Sequence, residues 1–514
     1  MASNSVFQMV GGARPGRSVF DLSYEYKTTV DMGDIIPCMV KECVPGDVWD
    51  IGIQVVARAL PLVYPLMHNI NIKCESFFCP TRLLMDSDKY SDSGDWEDFI
   101  SGGEDGADTS TLPKWTVDGT SSDWSTGSLW DYIGFPIGVS GAGDTRPVDF
   151  PKRMYNLIWN EYYRHQFLQT EVDITTSEVI LKRTWERDYF TAALPYLQLG
   201  TAPSFPISGT INPDFSAAIG GSGPQGALAI DSTADTIGTA GSTYNTDVQN
   251  ALEKATVDLS GATTFDIADF RLAAATQMWL ERNMRAGVRH SEFLRSHFGV
   301  FPRDERLERP EFIGSVRFPL QISEVLQTSS EAGTEAVGTM AGHGIAADGS
   351  YLGKYRVKEY GYIMTMVSII PTAVYQQGID RQFIKDDKLD FYFPEFAHLS
   401  EQPIYRAELY ATSTSSENET VFGYIGRYDE LRSSKDVVTG YMRSDAAGNY
   451  EDWHLARDFG AAPTLNSAFV QCDPDDRCFA VASEPHFMVT VGNLLRAVRP
   501  IPAIAVPGSL IRGA

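Results

Sequence analysis

The most regular feature of the chain is a two-residue alternation of apolar and polar side chains. Asn69, Asn71, Lys73 and Glu75 alternate with Ile70, Ile72 and Cys74, the period of a strand with one packed and one wet face. Near the other end, Phe487, Val489 and Val491 alternate with Met488, Thr490 and Gly492. Residues 20–80 read as strands separated by turn punctuation, with Val44-Pro-Gly-Asp ending one and opening the next. A second β-rich block covers 355–371 and 477–498. Strand blocks this far apart must pair, because an isolated hairpin is at best marginally stable in water.

Between the blocks the period lengthens. Phe270, Leu272, Ala273, Met278, Trp279, Leu280, Phe293 and Leu294 recur near the helical period without an internal proline, predicting helix over 270–298. Tyr155, Ile158, Trp159, Tyr162 and Tyr163 fall at spacings of 3 and 4, predicting a short aromatic-faced helix within 153–169. In residues 201–265, 35 of 65 side chains are Gly, Ala, Ser or Thr, and Lys254 is the one basic residue. Such a segment buries little apolar surface alone and reads as a surface excursion that folds against neighbours or binds a partner. No fixed-period repeat points to a solenoid or propeller.

Length and composition add constraints. A chain of 514 residues exceeds the size at which one core usually stops growing, and its 27 Pro and 44 Gly favour one core with large insertions. Against 42 basic residues stand 67 acidic ones, a formal net charge of -25, which argues against a main surface that grips nucleic acid directly. Residues 86–150 carry 14 acids against Lys89, Lys114 and Arg146, a balance of -11, the pattern of a solvated face. Residues 1–17 lack an apolar run of signal-peptide length and read as a mobile arm. The most apolar window, 363–370, is far shorter than the roughly 20 residues of a membrane span, so no span is expected.

Catalytic and metal signatures are missing. GxxxxGK[ST], GxSxG and HExxH do not occur. The one GxGxxG match, Gly221, Gly223 and Gly226, contains Pro224 and follows no strand pattern. Cysteines 38, 43, 74, 79, 472 and 478 have spacings unlike zinc ribbons; buried free thiols are expected, and a metal shared by Cys38, Cys43, Cys74 and Cys79 requires the fold to gather them. His297 and His343 read as hydrogen-bonded packing residues. Asp86, Asp88, Asp92 and Asp95 lack the Gly and terminal Glu of a calcium loop. No catalytic residue, metal or cofactor is expected, although a triad that assembles only in space escapes such a search.

Short segments then recur in a recognisable order. They begin with Ser18-Val-Phe-Asp-Leu-Ser, Met32-Gly-Asp-Ile-Ile-Pro, Val44-Pro-Gly-Asp, Asn156-Leu-Ile-Trp-Asn-Glu-Tyr-Tyr-Arg and Arg187-Asp-Tyr-Phe-Thr. Glu281-Arg-Asn, His297-Phe-Gly-Val, Arg309-Pro-Glu, Ile322-Ser-Glu-Val-Leu-Gln-Thr, Met340-Ala-Gly-His-Gly and Tyr375-Gln-Gln-Gly follow, and Pro394-Glu-Phe-Ala-His, Asp452-Trp-His-Leu and Cys472-Asp-Pro-Asp-Asp-Arg close the series. The series resembles the major capsid proteins of microviruses, especially the gokushovirus-like branch, over nearly the whole chain.

The resemblance implies a mainly β fold: an eight-stranded antiparallel jelly roll of viral capsid type with long loop and helix-containing insertions. On that scheme residues 18–85 and 351–514 hold jelly-roll strands, and 86–200 form an insertion. Residues 201–265 form a threefold protrusion used in host attachment, and 266–350 supply a helical segment and contact loops. It also implies a T=1 icosahedral shell of about 60 copies around circular single-stranded DNA, assembled in the host cytoplasm. The partners implied are other copies of the chain, the DNA genome, a small basic DNA-packaging protein, an internal scaffolding protein, a DNA pilot protein and a host surface receptor. Arg14, Arg17, Arg496 and Arg499 are the DNA-contact candidates. Trp159, Tyr162, Tyr163, Trp279, Phe298, Tyr375, Phe396 and Trp453 are the subunit-contact candidates, since aromatic residues carry much interface energy. The rival readings are a spike or receptor-binding protein of a small virus and a carbohydrate-active jelly roll.

Overall fold

The computed structural model describes residues 16–504, apart from 87, 91–93, 103–109, 116–123, 139–145, 327–339, 400, 482–483 and, within 204–266, everything but four short strands. Ten strands build two antiparallel sheets: β1 (Ser18–Asp21), β2 (Tyr24–Val30), β3 (Ile36–Cys43), β4 (Val48–Ala59), β5 (Ile70–Pro80), β6 (Glu311–Pro319), β7 (Gln321–Leu326), β8 (Met340–Arg356), β9 (Gly361–Pro371) and β10 (Phe487–Arg499). One sheet has the order β2-β10-β4-β8-β7, with β1 also on β10; the other has the order β6-β5-β9-β3. This is jelly-roll connectivity, in which the chain passes repeatedly from one sheet to the other. The strands exceed the expected eight because β1 prolongs β2 along the same partner and β7 adds an edge outside β8.

The period-2 pattern explains the packing. In β4, Trp49, Ile51, Ile53, Val55 and Ala57 are buried, whereas Gln54, Val56 and Arg58 point to solvent. In β10, Phe487, Val489, Val491 and Leu495 enter the same core. Ile70, Ile72 and Cys74 of β5 and Ile363, Val367 and Ile369 of β9 meet them from the opposite sheet. Each such side chain contributes roughly 1.5–3 kcal/mol when fully buried. The two chain ends do pair: β10 lies between β2 and β4, with Val30 opposite Phe487 and Ala57 opposite Val489. Between β3 and β4 the Val44-Pro-Gly-Asp turn closes through Asp47 N donating to Val44 O (3.0 Å), and Gly46 takes a φ of 96° there, a conformation that costs glycine little.

The middle of the chain differs from its sequence reading in three places. Strands β6, β7 and the first part of β8 occupy residues read as helical segment and contact loops. Their pattern is interrupted by Gly314, Gly342, Gly344, Gly349 and Gly353, and a Cβ on Gly342 would stand 2.7 Å from the Tyr64 carbonyl oxygen; glycine here marks close backbone approach. The predicted helix at 270–298 is two helices split at Gly287, which has a φ of 104°. The aromatic helix begins earlier, at Phe150.

The insertions carry α1 (Trp96–Ser101), α2 (Leu129–Ile133), α3 (Phe150–Ile158, continued by a π-helical turn Trp159–Tyr163), α4 (Ile267–Ala286) and α5 (His290–Phe298). Helices α2 and α3 build a second core with Leu83, Leu84, Met85 and Met364. In the acidic insertion, Trp115, Trp124 and Trp130 form a cluster of their own. Residues Gln198–Met284 make a separate compact unit. It contains a small hairpin (Leu228–Asp231 with Thr236–Thr239), a short pairing of Pro213–Asp214 with Thr256–Val257, and most of α4, against which Leu199 N bonds Leu280 O.

Candidate assembly and nucleic-acid surfaces

The eight aromatic candidates divide by burial. Trp159, Tyr163 and Tyr375 are buried within the chain: the Trp159 indole donates to Lys182 O (3.0 Å), Tyr163 donates to Glu75 (2.6 Å) and Tyr375 to Asp188 (2.5 Å). Their rings serve the chain's own packing and leave no face for a neighbour. Tyr162 is half-buried between Phe77 and the Arg309 guanidinium. Phe396 is half-buried beside Phe393 and Arg427, and Trp453 stacks on Tyr64 at 5.4 Å. Trp279, on α4, is 48% exposed, and Phe298, at the end of α5, is 68% exposed.

Among the described residues, exposed large apolar side chains crowd most closely along the chain where the sequence reading named only Phe396. Ile379, Phe383, Leu389, Phe391, Tyr392, Phe393 and Leu399 are all exposed, Phe383 by 75%. Val300 and Phe301 extend the Phe298 patch, with the Arg295 guanidinium over the Phe301 ring at 4.8 Å. Concentrations of this kind mark interaction sites. The signal was present in Phe391-Tyr-Phe-Pro-Glu-Phe, an aromatic run with no period that would bury it.

The four cationic candidates also part company. Arg499 is held inside the fold: its Nε donates to the fully buried Asp47 (3.0 Å), another nitrogen donates to Glu42 O (3.1 Å), and its guanidinium lies over Trp49. Arg496 and Arg17 are exposed. Arg14 lies outside the described residues, as does nearly all of 201–265. Arg496 borders a shallow groove of about 790 Å³ on the outer face of the first sheet, with Val19, Asp21, Asp50, Gln54, Tyr351 and Leu494. Gly52 and Gly349 lie in its floor, so side chains are missing where neighbouring strands would otherwise fill it.

The buried charges are organised as internal ties. Glu75 on β5 accepts from Arg183 (2.7 Å) and Tyr163 (2.6 Å), with Lys73 at 3.4 Å. Burial pushes its carboxyl up, but the adjoining Arg183 outweighs that and holds it below the usual range. Asp149, before α3, faces Lys152 (3.1 Å) and Arg153 (3.3 Å), both buried. There burial prevails over the two cations and pushes the carboxyl to about 6. Glu408 accepts from Arg381 and Tyr189, both at 2.9 Å. All three anions are matched by cations of the same chain. Perturbed carboxyls can mark catalytic sites, but these three belong to ion-paired packing.

All six cysteines are free and buried, and burial pushes Cys38, Cys472 and Cys478 up to about 12. Cys38, Cys43, Cys74 and Cys79 are not gathered into a ligand cluster; among the described residues the one group of three or more metal-ligating side chains is Asp31, Asp476 and His486. No helix of the described residues is long and apolar enough to cross a membrane.

Comparison with known proteins decides the family. A family model described as "Capsid protein (F protein)" matches residues 8–509. The chain belongs to this capsid protein family. It is 33% identical to "Capsid protein VP1" of Chlamydia phage 1, covering 98% of this chain and 97% of that protein. It is 29% identical to the protein of that description from Bdellovibrio phage phiMH2K (98% of each chain) and 27% identical to that of Spiroplasma virus 4 (98% of this chain, 97% of the relative). The gokushovirus-type resemblance read from the sequence is thereby shown, and the protein has the structural role of a microvirus capsid protein, a component of the virion.

Proposed function

We propose that copies of this capsid protein close into a T=1 icosahedral shell of about 60 subunits around a circular single-stranded DNA genome. The observation that carries the reading is the coincidence of a jelly-roll sandwich, end-to-end similarity to capsid proteins, and large aromatic side chains left exposed at 298–301 and 379–399. Exposed large apolar side chains in such number mark interaction surfaces, and repeated use of such surfaces closes a symmetric assembly. The role we assign is structural: the capsid family match carries it, and the buried acids Glu75, Asp149 and Glu408 are each tied to a neighbouring cation of the same chain.

With a net charge of -25, the shell needs cations or a basic helper to hold polyanionic DNA. A small basic packaging protein fits that need, and Arg14, Arg17 and Arg496 are this chain's own contacts, whereas Arg499 is committed to Asp47. An internal scaffolding protein and a DNA pilot protein complete the assembly partners. Residues 201–265 form the protrusion that meets the host surface receptor. Electron microscopy of the purified protein tests the central claim. Closed particles of small-virus size are expected; lasting monomers or trimers would point instead to a spike or receptor-binding protein.

A further inference from the structure

Three side chains from three separate stretches of the chain converge at one point. Asp31 follows β2, His486 precedes β10, and Asp476 lies in the loop between Cys472 and Cys478. His486 Nδ1 stands 2.6 Å from Asp31 Oδ1 and 3.7 Å from Asp476 Oδ1, and the ligand atoms of the three residues all lie within 4.8 Å of one another. The imidazole is 1% exposed and packs against the Phe479 ring at 4.1 Å, which fixes the direction of Nδ1. The two carboxylates are 34% and 43% exposed, leaving a path for an ion and for water to complete its coordination.

We propose that Asp31, Asp476 and His486 bind a divalent transition cation of the zinc type, through His486 Nδ1 and one oxygen of each carboxylate. The donor set selects the class: one imidazole nitrogen and two carboxylate oxygens suit zinc, whereas calcium and magnesium favour oxygen alone. Metal–ligand distances of about 2.0–2.2 Å put tetrahedral ligands roughly 3.3–3.5 Å apart. The Asp31 contact therefore widens and the Asp476 contact narrows on binding, each by less than about 1 Å.

Local charge favours a cation. Lys182 pairs with Asp34 (3.6 Å) and Asp473 (2.8 Å), so among the described residues the imidazole is the one cationic group within ion-pair distance of Asp31 and Asp476, and Asp31 Oδ1 otherwise accepts only from Met32 N (2.8 Å). The bound ion ties the end of β2, the start of β10 and the 472–478 loop at one point. Metal affinity that exists only in the folded chain appears directly as stability.

The test uses the full chain stripped with a chelator and titrated with zinc chloride by calorimetry, alongside thermal unfolding. The expected result is one zinc per chain, a higher unfolding midpoint, and affinity weakened roughly 100-fold or more in Asp476→Asn or Asp31→Asn, with Asp473→Asn unchanged. Metal-free unfolding midpoints show whether each variant is folded, and two independent ligand variants guard against one that is not. Cobalt substituted for zinc should give a visible absorption spectrum that Asp476→Asn alters. Zinc bound at well under one per chain, equal affinity in a folded Asp476→Asn chain, or preference for calcium over zinc would each overturn the assignment.

Discussion

At the scale of single residues, the decisive quantity is whether a buried charge keeps its partner. Arg183 closes on Glu75 at 2.7 Å with both side chains almost wholly buried, so Arg183→Met leaves that carboxylate only Tyr163 (2.6 Å) and Lys73 (3.4 Å) and should cost up to about 3 kcal/mol in denaturant unfolding at neutral pH. Glu75 titrates below its ordinary range when folded. Its contribution is therefore present above the unfolded value of 4.5 and disappears as pH falls through the lower folded value. The deficit of Arg183→Met should shrink in that acid range, and a deficit independent of pH would refute the charge explanation. Asp149 has the opposite sign: its folded value of about 6 lies above the unfolded 3.8. The folded chain holds the extra proton between them, so this group's contribution falls as pH rises through that interval. The Glu75–Arg183 partnership was not visible in the sequence, because the two residues are distant along the chain and alternation alone would have put Glu75 on the wet face of β5, whereas Asp149 lies three and four residues before its partners Lys152 and Arg153.

At the scale of elements, the sequence was most legible where each strand obeys one period. β4, β10 and the first half of β5 alternate cleanly, and the structure buries the residues the period nominates. A contrast within β4 follows. Ile53→Ala, at a fully buried position, should cost about 2–5 kcal/mol, whereas Val56→Thr, 44% exposed on the opposite face, should stay within about 0.5 kcal/mol. Chemical denaturation of both variants checks it, and equal losses would contradict the register. Strands β6 to β8 were illegible because their glycines answer to backbones from other elements, which no local pattern encodes. Gly33 shows this most sharply: its φ is 83°, and an added Cβ would stand 1.9 Å from the Cys472 carbonyl oxygen. Gly33→Ala should cost at least about 1–3 kcal/mol in thermal unfolding, by forcing apart the β2–β3 turn and the 472–478 loop.

At the scale of the whole molecule, pairing of the chain ends was the one long-range inference that the pattern alone could force, since neither strand block completes a sheet without the other. The jelly-roll topology itself came from resemblance, because alternation does not say which strand crosses to which sheet. The compact unit Gln198–Met284 bears on what the insertion does, since none of its described strands belongs to either of the two main sheets. Replacing residues 201–265 by a short Gly-Ser linker should therefore shift the sandwich's unfolding midpoint by less than the roughly 2–4 °C that about 1 kcal/mol gives a large domain. Calorimetry of the purified chain measures this directly, and collapse of the main transition would show that the insertion is part of the folding core. If the transition holds, electron microscopy and host-binding assays on the same variant separate the remaining roles. Closed particles that no longer attach support the protrusion as a receptor contact; loss of particles from a stable sandwich would mean instead that subunits meet through it, and the exposed aromatics at 379–399 would then be insufficient to close the shell.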